Sequence, residues 1–171
     1  MPQLKIIKYP DPLLKRKCKP VANIDADTIS LINNMFETMY AAPGVGLAAN
    51  QVGSTARICV IDVRPEGKRQ PIVLINPKIS AKSGRLNEEE GCLSFPGLQA
   101  KVKRYAEVKV EAVNENGMPI VVHGRGDLLS RALQHELDHL DGKVFIDYLP
   151  FWLKPKIKAE IRRLKKSGEW K

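Results

Sequence analysis

The chain of 171 residues has the composition of an ordinary globular protein, with 43% hydrophobic and 27% charged residues, which excludes a disordered or fibrous class. We therefore expect one domain over residues 1–171. No apolar run is long enough to cross a membrane. Lysines interrupt the apolar residues of the N-terminus, which is unlike a signal peptide and indicates a cytoplasmic location. Three cysteines without a C-x-x-C pair argue against a disulfide framework.

The first part of the chain predicts an extended segment followed by a helix. Residues 1–23 are punctuated by prolines and lack a helical period. Within them Cys18 lies among basic residues, so we expect an exposed thiol without a role. Asp25 or Asp27 is placed to cap the helix. Apolar residues with helical spacing then predict a face that packs in the core: Ile32, Met35, Phe36, Met39 and Tyr40.

A run of small residues, 44–53, follows the helix. It lacks the G-K-[ST] ending of a phosphate loop, and no strand precedes it as in a dinucleotide fold. Small side chains instead allow a backbone to approach a ligand closely. Gln51 is the one side chain here with an amide donor, although a lone glutamine of this kind is more often structural.

The remainder of the chain predicts strands and then two helices. β-branched runs bounded by turn residues predict extended segments at 57–63, 71–76, 78–83, 106–113 and 118–122, the last two as a hairpin. A helix after Asp127 is apolar around much of its circumference, which predicts burial. An amphipathic basic helix follows at about 150–166. Together these elements predict an α+β fold, in which antiparallel sheets pack around a central helix, with an N-terminal helix and a C-terminal amphipathic helix.

The central helix carries the pattern H-E-x-x-H. His135 and His139 lie four residues apart and therefore share one face, where two imidazoles can bind one divalent ion. Glu136 is adjacent and is placed to handle protons. Buried unpaired charge is costly, so a buried helix with this set of side chains favours a metal. The remaining histidine, His123, has no partner at ligand spacing and is interpreted as an ordinary histidine, either on the surface or with its hydrogen bonds satisfied.

A catalytic site of this kind needs a third ligand. One class of H-E-x-x-H site places a further histidine at a position that Phe145 occupies here, which excludes that class. Another class uses a downstream glutamate, but Glu160 lies among basic residues of an amphipathic helix, where a surface ion pair is expected. Cys92, between a glycine and the turn residues Ser-Phe-Pro-Gly, is the upstream candidate.

Three segments resemble the signature motifs of the peptide deformylase family and occur in the family's order. They are G-V-G-L-A-A-N-Q at 44–51, E-G-C-L-S at 90–94 and Q-H-E-L-D-H-L at 134–140, and the resemblance extends over nearly the whole chain. It implies a hydrolase that removes the formyl group from the N-terminal formyl-methionine of newly made polypeptides and releases formate. Arg131 departs from the pattern, since that position on the helix faces the substrate pocket and is often apolar in the family.

The resemblance also implies a role for each residue at the metal. Cys92, His135 and His139 would hold one ion, and metal-bound water would attack the formyl carbonyl with Glu136 as general base and then acid. Fe²⁺ is the implied native ion, and Ni²⁺, Co²⁺ or Zn²⁺ would be able to replace it. The thiolate makes the ion a weaker Lewis acid than three imidazoles would.

The other implied roles concern the substrate. The amide of Gln51 and the backbone N–H of Leu93 would stabilise the oxyanion. Residues expected to bind the peptide backbone or the methionine side chain are Gly44, Val45, Gly46, Glu90, Gly91, Leu128 and Ala132.

Two other functions are compatible with parts of the sequence. An ordinary metallopeptidase would cut internal amide bonds instead of releasing formate. A non-catalytic RNA-binding module would rest on the chain from Lys154 onward, where eight Lys or Arg and only two Glu leave six surplus positive charges. In a deformylase the same basic tail would be able to bind ribosomal RNA. We expect a monomer that does not bind membranes.

Overall fold

The computed structural model describes residues 2–170, so that Met1 and Lys171, the ends of the predicted domain, lie outside the described residues. Three α-helices occur in this range: α1 (Ala26–Ala41), α2 (Leu128–Leu140) and α3 (Lys154–Lys166). Seven strands accompany them: β1 (Gly46–Ala48), β2 (Ile58–Ile61), β3 (Ile72–Ser83), β4 (Leu86–Cys92), β5 (Phe95–Arg104), β6 (Glu107–Val113) and β7 (Pro119–Arg125). The predicted α+β class is confirmed. Within the described range, none of the helices has the length and apolar character that crossing a membrane requires.

Five strands form one antiparallel sheet in the order β1-β2-β3-β6-β7. The β6–β7 hairpin was predicted and is confirmed, with Val113 opposite Pro119. The two extended segments predicted at 71–76 and 78–83 form the single strand β3. A register shift between Ile75 and Lys78, next to Asn76 with its positive φ of 53°, explains why the sequence pattern is interrupted there.

The other two strands, β4 and β5, form a separate antiparallel sheet. They are joined at a tight turn, where Cys92 pairs with Phe95 and only Leu93 and Ser94 lie between them. No strand was predicted over β5, because Pro96 and Gly97 disrupt the alternating pattern at its start. The turn brings the end of β4 towards the centre of the molecule.

Helix α2 packs between the sheets and is buried as predicted. Asp127 caps it by accepting a hydrogen bond from the Ser130 N–H at 2.8 Å. A side chain at Gly124 would place its Cβ 2.3 Å from Ser130 Cα, so that only glycine lets β7 pass this close to the helix. The apolar face of α2 packs against β2 and β3 through Ala132, Leu133, Leu137, Leu140, Cys59, Ile61 and Leu74.

Helix α1 covers another part of the core. Asp25, not Asp27, is its cap, because its carboxylate accepts from the Thr28 N–H at 2.8 Å. The predicted apolar face packs against β1 and β2 in one cluster, which includes Ile32, Met35, Met39, Leu47, Ile58 and Val60. This packing fixes the small-residue segment that follows α1.

Two predictions about the ends of the chain were wrong in detail. Cys18 is buried, not exposed, and its N–H donates to the Leu140 carbonyl at 2.8 Å, because the extended N-terminal segment covers the end of α2. Helix α3 begins at Lys154, not near residue 150, because residues 151–153 form a short 3-10 turn before it.

Candidate metal centre

The two histidines of α2 face the same point inside the protein. Their Nε2 atoms are 3.3 Å apart, and both side chains are buried. Nδ1 of His135 lies 3.0 Å from Oε2 of Glu90. A protonated Nδ1 that donates to this carboxylate leaves the lone pair of Nε2 free for a metal. Burial is the main cause that lowers the pKa of His139 well below its usual value, which favours a neutral, ligating imidazole.

The turn after β4 adds a sulfur to the histidine pair. Sγ of Cys92 lies 3.3 Å from Nε2 of His139. Ligand atoms of Cys92, His135 and His139 all lie within 4.8 Å of one another. The predicted third ligand is therefore brought to the pair, whereas Glu160 forms an exposed ion pair with Arg163 on α3.

The spacing of these atoms fits a bound ion. Two imidazole nitrogens that each bind Zn²⁺ at about 2.0–2.1 Å in tetrahedral geometry lie about 3.3 Å apart. The Nε2 atoms of His135 and His139 have this separation, 3.3 Å. Thiolate and imidazole donors suit Zn²⁺, Fe²⁺, Co²⁺ and Ni²⁺ better than Mg²⁺ or Ca²⁺. The side chains present thus provide three ligands that fit one transition-metal ion, and two of them, Cys92 and His135, line the cavity.

A buried ion-pair network holds the first histidine. Arg104 donates to both carboxylate oxygens of Glu90, at 2.7 and 2.9 Å, and to Asp138 at 2.5 Å. Tyr148 donates to the other Asp138 oxygen at 2.8 Å. Burial acts to raise the pKa of Glu90, but hydrogen bonds from Arg104 and His135 and the charge of Arg104 outweigh it and lower the pKa to about 2. Glu90 is therefore an ionised, fixed acceptor behind His135.

Glu136 lies on the cavity side of α2. Its side chain is buried, and its Oε2 has no hydrogen-bond partner among the described residues. Burial is the main cause that raises the pKa of Glu136 to about 7. A Cβ atom at Gly46 would lie 2.5 Å from Oε1 of Glu136. The strand β1 can approach this carboxylate only because residue 46 is glycine.

Gln51 approaches the sulfur from the small-residue segment. Its Oε1 accepts from the Ala48 N–H at 2.9 Å, which fixes the orientation of the amide. Its Nε2 lies 3.1 Å from Oγ of Ser94 and 3.6 Å from Sγ of Cys92. Leu93 is the residue between Cys92 and Ser94 in the chain. The Gln51 amide from the small-residue segment is thus placed beside the sulfur, next to the turn that contains Leu93.

A cavity of about 640 Å³ opens in front of these groups. Twelve of the thirteen predicted site residues line it, and the thirteenth, His139, lies behind them. The twelve are Gly44, Val45, Gly46, Gln51, Glu90, Gly91, Cys92, Leu93, Leu128, Ala132, His135 and Glu136. In contrast, His123 is an exposed residue of β7, which is one of its two predicted settings.

Known proteins resemble this chain along its whole length. A model of the polypeptide deformylase family matches residues 3–154. A peptide deformylase of Endomicrobium trichonymphae is 47% identical over 170 residues, which are 99% of this chain and 100% of the relative. The peptide deformylase of Alkalilimnicola ehrlichii is 44% identical over 165 residues, covering 96% of this chain and 92% of the relative.

Solved structures agree with the sequence comparison. A peptide deformylase crystal structure from Legionella pneumophila superposes with a TM-score of 0.92 at 40% identity and covers 99% of both chains. One from Ehrlichia chaffeensis, in complex with actinonin, has a TM-score of 0.90 at 38% identity and covers 98% of both. This chain belongs to the peptide deformylase family. Its activity is the removal of the N-formyl group from nascent polypeptides, and it is a metal-dependent hydrolase.

The deformylase site also contains residues that were assigned no role from the sequence. Arg104 and Asp138 complete the ion-pair network, and Ser94 holds the amide of Gln51. Asn50 donates to the carbonyl of His139 at 2.6 Å. Their partners in these contacts lie more than 30 positions away, so no local spacing predicts the contacts. Asn50, Ser94 and Asp138 stand within the three motifs, next to predicted site residues, whereas Arg104 lies in none of them.

Proposed function

We propose that Glu136 is the general base and then the general acid of deformylation. The observation that carries this role is the carboxylate oxygen Oε2, which lies buried beside the metal ligands without a hydrogen-bond partner among the described residues. A carboxylate with a pKa raised to about 7 can both take and return a proton at neutral pH. Glu136 would accept the proton of the attacking water and pass it to the amine of the leaving methionine.

We propose Fe²⁺ as the native metal, held by Cys92, His135 and His139. The bound ion supplies Lewis acidity and lowers the pKa of a water molecule. A sulfur-containing ligand set supports Fe²⁺ and also Ni²⁺, Co²⁺ or Zn²⁺. Metal analysis of protein purified without oxygen tests the assignment, which fails if iron is absent while formate release is full.

The oxyanion would be stabilised by two groups of this chain. The amide nitrogen of Gln51 has two hydrogens, one donated to Oγ of Ser94 at 3.1 Å and the other directed at Sγ of Cys92 at 3.6 Å. The hydrogen of the longer contact would turn to the formyl oxygen, and the N–H of Leu93 would provide another donor. Removing one such donor costs about 3–4 kcal/mol in the transition state.

The peptide would bind between two strand edges. Within the described residues, β1 pairs only with β2, and β4 only with β5, so each has an edge available at the cavity. The backbones of Gly44, Val45, Gly46, Glu90 and Gly91 line this space. An extended peptide would pair with them as an added strand. Leu128 and Ala132 of α2 would contact the methionine side chain.

The test is formate release from formyl-methionyl peptides with metal content measured in the same samples. Glu136→Ala should retain the metal and lose turnover by roughly 10²–10⁴-fold. The control is Glu160→Ala, which removes an exposed carboxylate on α3 and should change neither quantity. An active Glu136→Ala enzyme would place the base elsewhere, and loss of metal in Glu160→Ala would contradict the ligand set.

We further propose that the chain acts as a monomer of one domain in the cytoplasm, where nascent chains emerge, and that α3 contacts ribosomal RNA. Only Ile161 and Leu164 of α3 are buried, which leaves its basic side chains accessible. Beside it, Phe151 and Trp152 are 78% and 66% exposed. Binding to isolated ribosomes should weaken steeply with salt and after Lys158→Glu. Unchanged binding in both cases would refute this partner.

A further inference from the structure

Arg131 is a cation on the rim of the cavity, and its side chain is attached to the strand β4. Its Nη1 donates to the carbonyl oxygen of Glu89 at 3.1 Å. Both residues line the cavity together with Gly91, so the guanidinium reaches β4 from the cavity side. An arginine has five N–H donors. Among the described residues this guanidinium has that one hydrogen bond and no carboxylate within ion-pair distance, so most of its donors have no partner in the protein.

The direction of β4 defines which part of a substrate would meet Arg131. The formyl group must lie at the metal ligands, beside Cys92 at the end of β4. From there β4 leads back through Gly91 to Glu89, away from the metal ligands. Backbone groups two residues apart lie on the same edge of a strand. A peptide whose methionine lies beside Gly91 would therefore bring its third residue beside Glu89.

The charges around the opening favour an anion at this position. Two of the carboxylates that line the cavity lie deep in it, since Glu90 is held by Arg104 and Glu136 lies beside the metal ligands. The other cation of the lining, Lys8, precedes Tyr9, whose N–H donates to the Ser94 carbonyl at the opposite end of β4 from Glu89. The Glu89 side chain is exposed and belongs to a residue paired across the sheet with Lys101. The guanidinium of Arg131 thus lies beside the path of the peptide and is fixed through a backbone carbonyl, not neutralised by a carboxylate.

We propose that Arg131 is a specificity residue that favours formyl-methionyl chains with an acidic side chain at the third residue. The inference rests on the proposed function of β4 as a peptide-binding edge. A carboxylate at that position would accept hydrogen bonds from the guanidinium nitrogens that Glu89 does not use. The contact is remote from the reacting carbonyl, so it is formed equally in ground and transition states and acts through KM, not kcat.

The experiment compares formyl-Met-Ala-X-amide peptides in which X is Glu, Gln or Lys. The terminal amide leaves the side chain as the only carboxylate. The wild-type enzyme should prefer Glu over Gln in kcat/KM by roughly 1.5- to fivefold, the range of an exposed ion pair, and this ratio should shrink at high salt. Arg131→Leu should bring the ratio towards one, and Arg131→Glu should reverse it in favour of Lys.

A matched control separates the local contact from overall charge. Arg125→Leu removes one exposed positive charge from β7 and should keep the wild-type ratio. An equal ratio in wild type and Arg131→Leu would refute the inference, as would a larger effect of Glu at the second residue than at the third. Absence of formate release from every peptide would instead refute the proposed function, so the two failures are distinguishable.

Discussion

The ion-pair network behind His135 leads to the most demanding prediction about stability. Arg104→Met replaces a buried cation with an apolar side chain of similar length. Arg104 is 5% exposed and Glu90 is 7% exposed, so the carboxylate would lose both short hydrogen bonds from the guanidinium and could not regain water. Breaking a buried pair from one side costs about 3–5 kcal/mol. We expect the free energy of unfolding to fall by that amount.

The assay is urea unfolding of every variant at one fixed concentration of added metal, because bound metal itself stabilises the native state. The double variant Arg104→Met with Glu90→Gln should be more stable than Arg104→Met alone, since no unpaired charge remains and glutamine still accepts from His135. Arg163→Met, which breaks an exposed ion pair on α3, should leave the midpoint nearly unchanged. Equal midpoints for Arg104→Met and Arg163→Met would refute the reasoning.

Three further changes test separate contacts. Gly46→Ala should displace the Glu136 carboxylate, since the new Cβ would lie 2.5 Å from its Oε1. The variant should lower kcat by about 10²-fold in formate-release assays. An unchanged kcat would mean that the carboxylate position is not critical. Cys92→Ser should lose bound metal by elemental analysis, and full metal content would exclude the sulfur as a ligand. Gly124→Ala would bring a Cβ to 2.3 Å from Ser130 Cα. The free energy of unfolding in urea should fall by about 1–3 kcal/mol, and an unchanged unfolding midpoint would contradict this.

Local sequence patterns predicted those parts of the site that lie on one element. His135 and His139 could be assigned to one face because helical periodicity fixes residues four apart. The buried character of α2 and the β6–β7 hairpin followed from apolar spacing and turn residues in the same way. The position of Cys92 beside the histidines depends on the two-residue turn between β4 and β5, which no local pattern predicts. Cys92 could be predicted as a ligand only because other ligands were excluded and because the family's motifs include it.

The residues that were assigned no role from the sequence are joined by contacts distant along the chain. Arg104 ends β5, a strand whose start is obscured by Pro96 and Gly97, so neither the strand nor its terminal arginine was predicted. Its role appears only when β5 lies beside α2. Cys18 was assigned to the surface because its neighbours are basic, although the segment actually covers the end of α2 and buries the thiol.

Deformylation by this chain depends on one ion held by Cys92, His135 and His139 together. X-ray absorption at the zinc edge of the zinc-loaded protein measures this most directly. We expect one sulfur at about 2.3 Å and two imidazole nitrogens at about 2.0–2.1 Å. A first coordination shell of nitrogen and oxygen atoms without sulfur would contradict the assignment.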